Sequence, residues 1–146
     1  MECLGGNGYV EDGPLARLYR EAPLNGIWEG SGNVICLDVL RSIEREPGAV
    51  HALIEEIGRG GERLRQSVAS LPRMLKDPAS AESQARRIVE TIAVALQASL
   101  MVRHAGKEPA DAFCASRLEG DGGRAFGTLP AGARCAAIAE RSRLAP

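Results

Sequence analysis

Aromatic residues are scarce in this chain, and their scarcity limits what its core can be made of. Phe, Trp and Tyr together make up 3% of the 146 residues, whereas 45% of the residues are hydrophobic. Sheets favour aromatic and β-branched side chains, while alanine and leucine favour helices. The composition therefore predicts an all-α fold whose core is built from Leu, Ile, Val and Ala.

The chain also lacks a net charge of either sign. Its formal charge is -1, which gives the whole chain no strong attraction to nucleic acid or to a membrane surface. The charge is unevenly distributed, however. Residues 1–58 hold 4 Arg against 10 Asp or Glu, and residues 59–146 hold 14 Lys or Arg against 9 Asp or Glu. The excess of +5 in the second part indicates either a basic interaction surface or basic side chains on solvated helix faces.

Metal-binding and membrane-spanning patterns are missing as well. None of the four cysteines forms a CxxC pair, and neither histidine stands near a cysteine, so zinc spacing is absent and no metal is expected. Cys36 lies among apolar helix residues and is interpreted as a small buried hydrophobe. The longest apolar run, 92–102, is too short to span a bilayer. We expect reduced thiols and a cytoplasmic setting.

What the chain does have is helical periodicity, interrupted by glycine and proline. Four glycines in residues 1–13 predict turns there, and "EGDGGRAFGTLPAG" (119–132) predicts a loop. Pro72 is expected to kink or shorten the helix that contains it. Apolar residues on all sides of 34–43 indicate burial on most sides. Helices are predicted at 14–22, from Ser31 or Asn33 to Arg45, and at 47–58, 61–75, 79–105, 109–118 and 133–144.

Glu29 stands in an unusual place, between Trp28 and a Gly-Ser-Gly turn that leads into an apolar helix. Gly30 and Gly32 would let a ligand approach the backbone, and the helix start offers free N–H groups. A desolvated carboxylate at such a place suits a general base that removes a proton α to a thioester carbonyl. On this motif alone, the simpler interpretation of an exposed loop carboxylate followed by an N-cap serine is favoured.

The wider segment is more specific. Residues 4–41 contain "GGNGY" (5–9), then "RE" (20–21), then "WEGS" (28–31) ahead of a long helix. This order and spacing resembles the C-terminal segment of the acyl-CoA dehydrogenases. The sequence of this segment is most similar to the DNA alkylation-response branch of these flavoproteins, with an isovaleryl-CoA dehydrogenase-like member as the alternative. That branch carries an additional helical tail after the shared domain, for which residues 46–146 are a looser match.

The resemblance implies a catalytic role for one residue and a substrate contact for its neighbour. Glu29 matches the family's catalytic base, which removes the α-proton of an acyl-CoA while a hydride leaves the β-carbon for FAD. Gly30 matches a residue that lines the acyl-CoA site.

The resemblance implies cofactor contacts for four further residues. Ser31 and Asn33 match positions that contact FAD, the second of which is usually Gln in the family. Gly5 and Gly6 match the turn that approaches the dinucleotide end of FAD. Glu2 stands where the family often has Gln, which puts a side-chain contact to the cofactor there in doubt.

The resemblance also sets an expectation about completeness. It covers the end of a much longer family chain, so residues 1–46 are expected to end the C-terminal helical bundle and residues 47–146 to form an additional small helical bundle. We expect a fragment that lacks most of the flavin pocket, is inactive as an isolated chain, and forms a homo-oligomer through exposed apolar faces.

Two alternatives remain beside a part of an FAD-dependent dehydrogenase. One is a DNA-binding helical module of the kind attributed to the alkylation-response branch, and the other is a helical assembly module without catalysis. The scarcity of aromatic residues for stacking argues against DNA binding. Six arginines are candidates for such a surface: Arg59, Arg63, Arg65, Arg73, Arg86 and Arg87.

Overall fold

Helices account for all of the regular structure that can be described. The computed structural model describes residues 1–123, 125 and 127–143, and these residues form no strand, which confirms the all-α prediction. None of the described helices is both long and apolar enough to cross a bilayer. The α-helices are α1 (Leu15–Glu21), α2 (Gly32–Arg45), α3 (Pro47–Gly58), α4 (Glu62–Ser67), α5 (Leu71–Met74), α6 (Pro78–Ser83), α7 (Ala85–His104), α8 (Lys107–Phe113) and α9 (Cys135–Arg141).

The core is centred on α7, the longest helix. Four small side chains of this helix are at most 7% exposed, and their size lets the neighbouring helices approach its backbone closely: Ala85, Ala95, Ala98 and Ser99. Larger side chains from the surrounding helices fill the remaining space, together with Ile88 of α7 itself: Ile57, Leu64, Val68 and Leu71. Burial of these groups is the main source of stability for the bundle.

The turn between α3 and α4 lies directly against α7. A Cβ atom added to Gly60 would lie 2.9 Å from the Cα atom of Ser99 and 2.3 Å from a methyl group of Leu64. The Ser99 hydroxyl donates a hydrogen bond of 3.2 Å to the backbone carbonyl of Glu56. The "GRGG" break predicted from sequence is therefore also a close contact between two backbones, which only glycine permits.

Glu56 links α3 to the end of α7 by charge. Its carboxylate accepts a hydrogen bond of 2.5 Å from the Arg103 guanidinium, and Arg59 lies 2.7 Å from its other oxygen. The hydrogen bond from Arg103 is the main cause that lowers the pKa of Glu56. The pair is only about one-third exposed, so solvent screens it less than it screens most surface pairs.

Several predicted helix boundaries agree with the structure, but two predicted helices are each divided. The helix expected at 61–75 is α4 and α5, and the break falls at 68–70 rather than at Pro72, which lies in the first turn of α5. The helix expected at 79–105 is α6 and α7, separated at Gln84, whose side chain bonds back to the Ser80 hydroxyl at 3.0 Å.

The segment expected to be only turns contains a short helix. Residues Glu2–Gly8 form a 3-10 helix with a kink at Gly5, where φ is 54° and ψ is -138°. The helix predicted at 14–22 is α1, which is one residue shorter at each end. It leads into a second 3-10 helix at Ala22–Gly26. The predicted helix at 109–118 is α8 followed by a π-helical turn at Cys114–Leu118. Part of the predicted loop and the end of the last predicted helix lie outside the described residues: Arg124, Phe126 and Leu144.

Burial of α2 on most sides was a wrong prediction. Val34 and Ile35 are 49% and 47% exposed, whereas Cys36 is buried as predicted and Leu40 packs against the core cluster. One face of α2 packs against α7, and the opposite apolar face is open in the described residues. The apolar pattern of a helix indicates how much of its surface can be buried, but it does not identify the element that packs against it.

Candidate functional site

Tight turns hold the loop that precedes α2. After the 3-10 helix at Ala22–Gly26, the N–H groups of Ile27 and Trp28 both donate to the Leu24 carbonyl at 3.0 Å. The indole N–H of Trp28 donates to the side-chain oxygen of Asn25 at 3.2 Å, although 56% of Trp28 is exposed. This local bonding fixes the direction of the chain at Glu29.

Glu29 itself adopts a left-handed backbone. Its φ is 59°, and it is the one non-glycine residue with positive φ in the part of the chain that the structure describes. Such a conformation costs roughly 1–3 kcal/mol for a residue with a Cβ atom, and it is found most often at functional sites. The carboxylate is exposed, so the desolvation that the sequence interpretation invoked is not supplied by the described residues.

Ser31 begins α2 in the way that its sequence position predicts. It is the N-cap residue, with φ -70° and ψ 157°, and its carbonyl accepts the Ile35 N–H at 3.0 Å. Its hydroxyl makes no capping hydrogen bond. Gly30 has a φ of 132°, and a Cβ atom there would lie 3.2 Å from the Ile35 side chain. The exposed Ser31 hydroxyl is thus left to bind another group.

Asn33 has a partner that the sequence did not indicate. The guanidinium of Arg86, 53 residues away on α7, donates through Nε to Oδ1 of Asn33. A Cβ atom on Gly32 would lie 3.1 Å from Nη2 of Arg86, so the glycine leaves room for the guanidinium. These two residues border a cavity of about 580 Å³ together with residues of the α6–α7 junction. The structure therefore joins a predicted cofactor residue to a predicted nucleic-acid residue.

The two glycines near the start of the chain are open to a ligand. Positions that a Cβ atom would occupy at Gly5 and Gly6 have no atom within 4 Å. Arg20 of α1 donates to Glu11 at 2.5 Å and ties the neighbouring turn to that helix. This hydrogen bond is the first cause that raises the pKa of Arg20. The predicted cofactor turn thus has an accessible backbone.

The six arginines proposed for a nucleic-acid surface do not act alike. Three of them pair with carboxylates, namely Arg59 with Glu56, Arg63 with Glu119 and Arg65 with Glu62. Arg86 bonds to Asn33, while Arg73 and Arg87 are exposed. Pairing with carboxylates weakens the positive field that nucleic acid would meet, so the structure adds no support to DNA binding.

The side chains and backbone of the site fit an acceptor-rich group such as FAD. The Ser31 hydroxyl and the Asn33 amide supply donors for phosphate and carbonyl oxygens. Gly5 and Gly6 provide a second stretch of accessible backbone earlier in the chain. No group of three or more His, Cys, Asp or Glu side chains that could hold a metal ion occurs among the described residues.

Comparisons with known proteins show which family this chain is similar to. Residues 1–44 match the family described as acyl-CoA dehydrogenase, C-terminal domain. The protein named "Putative acyl-CoA dehydrogenase AidB", from Escherichia coli (strain K12), is 39% identical over 126 residues, which cover 84% of this chain and 23% of AidB. Acyl-CoA dehydrogenase family member 11 of Caenorhabditis elegans is 31% identical over 127 residues, covering 72% of this chain and 21% of that protein.

The similarity to AidB extends beyond the matched domain, but this chain covers only a small part of each relative. The similarity to AidB runs through most of the tail, which supports the branch predicted from the sequence. The chain nevertheless spans less than a quarter of the length of either relative. On the residues of 4–41 and these matches, the chain belongs to the acyl-CoA dehydrogenase family, and residues 1–44 correspond to its C-terminal domain.

Proposed function

We propose that this chain supplies the base-bearing C-terminal part of an FAD-dependent acyl-CoA dehydrogenase. The observation that carries the proposal is the backbone of Glu29, held at a φ of 59° directly before the amino end of α2. A glutamate with a strained backbone just before a helix, within the segment that matches the family domain, fits a general base.

In this proposal Glu29 takes the α-proton of an acyl-CoA thioester. Bound FAD would supply the acceptor for the hydride that leaves the β-carbon, and the products would be a 2-enoyl-CoA, reduced flavin and a protonated Glu29. Gly30, whose φ of 132° favours glycine, lines the acyl-CoA site in this proposal, and the Ser31 hydroxyl and the Asn33 amide would hold the cofactor. Gly5 and Gly6 let its dinucleotide end approach the backbone.

Catalysis by the 146-residue chain alone is not part of the proposal. Glu29 and Trp28 are both exposed, and nothing among the described residues excludes water from the carboxylate. We propose that the isolated chain is inactive, that residues 1–46 and 47–146 are distinct helical units, and that the setting is cytoplasmic.

A chimera tests the catalytic proposal. The matching segment of AidB would be replaced by this chain, and flavin absorbance and its bleaching by acyl-CoA would be recorded. Glu29→Gln should keep the flavin and lower the rate of bleaching by roughly 10²–10⁴-fold, the usual contribution of a positioned base. Glu46→Gln, an exposed carboxylate beyond the matched domain, should leave the rate unchanged.

The same samples weigh the alternative of an assembly module. That alternative is favoured by the exposure of large apolar side chains, eleven of which lie in residues 1–35. A chimera that binds flavin and is insensitive to Glu29→Gln would overturn the catalytic proposal. A homo-oligomer seen by light scattering in that case would favour assembly.

A further inference from the structure

Arg86 makes a direct polar contact with Asn33, which lies in a distant part of the sequence. The two residues are 53 positions apart, on α7 and α2, and the bond joins Nε of the guanidinium to Oδ1 of the amide. Gly32 lies beneath the guanidinium, where a Cβ atom would be 3.1 Å from Nη2 and 3.5 Å from Cζ. The hydrogen bond therefore depends on the absence of a side chain at position 32, because a larger residue there would crowd the guanidinium.

This bond leaves a surplus of donors. The amide oxygen of Asn33 is occupied, which leaves its NH₂ group with two N–H donors. A guanidinium carries five N–H groups, only one of which is used here, and Arg86 has no carboxylate partner among the described residues. The pair can therefore bind a group that accepts several hydrogen bonds and carries negative charge.

The space beside the pair has a size and charge that suit such a group. The cavity of about 580 Å³ is bordered by Arg86 and Arg87 on one helix and by Asn33 on the other. One carboxylate, Glu82, also borders the cavity, so two positive charges face one negative charge. Ligand sites in proteins commonly fall in the range of about 300–1,000 Å³.

We propose that Arg86 and Asn33 form a phosphate-binding pair, in which Arg86 both holds the Asn33 amide in place and contacts the phosphate. Arg86 belongs to the tail, outside residues 1–44 that match the family domain. The identity of the molecule that carries the phosphate rests on the proposed function, because FAD and coenzyme A each contain a pyrophosphate. The donor pair itself rests only on the contacts described above.

Titration of the full 146-residue chain with inorganic pyrophosphate, followed by calorimetry at low ionic strength, tests the pair. Arg86→Gln should weaken binding by about tenfold or more, the usual effect of losing a hydrogen bond to a charged group. Asn33→Asp should abolish binding while keeping the arginine, because the new carboxylate would engage the guanidinium. Glu82→Gln should tighten binding by removing the opposing charge.

Arg73→Gln is the matched control, since Arg73 is an exposed arginine of α5 outside this cavity. It should change the affinity by less than twofold, and circular dichroism melts should show all variants folded. Absence of pyrophosphate binding to the wild-type chain would overturn the proposal. Equal weakening by Arg73→Gln and Arg86→Gln would also overturn it, because binding would then follow net charge alone.

Parallel titrations with FAD, riboflavin and coenzyme A separate the sources of the phosphate. Tighter binding of FAD than of pyrophosphate, with no binding of riboflavin, would assign the pair to the cofactor. Tighter binding of coenzyme A would assign it to the substrate. If pyrophosphate bound through Arg86 while FAD and coenzyme A bound no more tightly, the pair would stand and the proposed function would lose support.

Discussion

Residues 1–46 and residues 47–146 bury their apolar side chains to very different extents. Among the described residues, the hydrophobic side chains buried in the first region are Ala16 and Cys36, whereas the second region supplies the whole buried core cluster. Of fourteen large hydrophobic side chains that are exposed, eleven lie in residues 1–35. Clusters of exposed apolar side chains are typical of surfaces that contact another molecule.

The difference teaches that the proposed site residues and the buried core lie in different parts of this chain. The segment that matches the family domain contains Glu29, Ser31 and Asn33, and it leaves large apolar side chains exposed. In the tail, the other helices pack around α7, and the apolar side chains of the core cluster are buried there. The contact between Arg86 and Asn33 is one point at which the two regions meet.

The largest expected effect comes from one substitution made in both regions. Ile88→Ala removes a fully buried side chain from α7 and should lower the free energy of unfolding by about 2–5 kcal/mol. Ile35→Ala removes the same atoms from the half-exposed face of α2 and should change it by less than about 1 kcal/mol. Urea unfolding measures both, and equal losses would break the comparison.

A smaller effect is expected where the turn between α3 and α4 approaches α7. Gly60→Ala places a methyl group against Ser99 and Leu64 and should destabilise the chain by about 1–3 kcal/mol, as overpacking does in other cores. Gly26→Ala in the first region meets no atom within 4 Å and should stay within about 0.5 kcal/mol of the wild type. A neutral Gly60→Ala variant would show that the two backbones can separate.

The smallest expected effect is a dependence of stability on pH. The pKa of Glu56 is lower in the folded chain because Arg103 donates to its carboxylate. Its contribution to stability is therefore present above the pKa of the unfolded chain, about 4.3, and is lost as the pH falls through the lower folded value. Thermal melts from pH 6 downward should show this loss in the wild type and less of it in Arg103→Gln.

Arg45→Gln provides the control from the first region. Arg45, like Arg103, is a basic residue in the last turn of a long helix, but it has no carboxylate partner among the described residues. This variant should retain the wild-type dependence on pH. A similar change in both variants would attribute the effect to charge at helix ends rather than to the pair.

Local signals predicted much of the fold. Pro47 and Gly58 mark the ends of α3 where they were expected. Ser31 is the N-cap residue of α2, as expected, although its hydroxyl makes no capping hydrogen bond. The break at Gln84 was missed, because a glutamine that bonds back to Ser80 carries no distinctive sequence signal. The break before Pro72 was misplaced for a related reason, since proline fits the first turn of a helix as well as it ends one.

The candidate site was predictable only as far as its residues are neighbours in sequence. The resemblance named Glu29, Ser31 and Asn33 together, and the structure keeps them in one loop and the first turn of α2. Whether they bind a substrate and cofactor stays a prediction. The link from Asn33 to Arg86 spans 53 residues and depends on how α2 packs against α7, which no local pattern encodes.

The four thiols allow the exposure of each region to be measured by chemical labelling. Each region carries one exposed and one buried cysteine: Cys3 and Cys36 in the first, Cys135 and Cys114 in the second. Burial also raises the pKa of the Cys114 thiol, which slows its reaction further. The labelling rate of Cys3 relative to Cys135 would therefore record, without any introduced probe, when a partner covers the first region and leaves the tail in water.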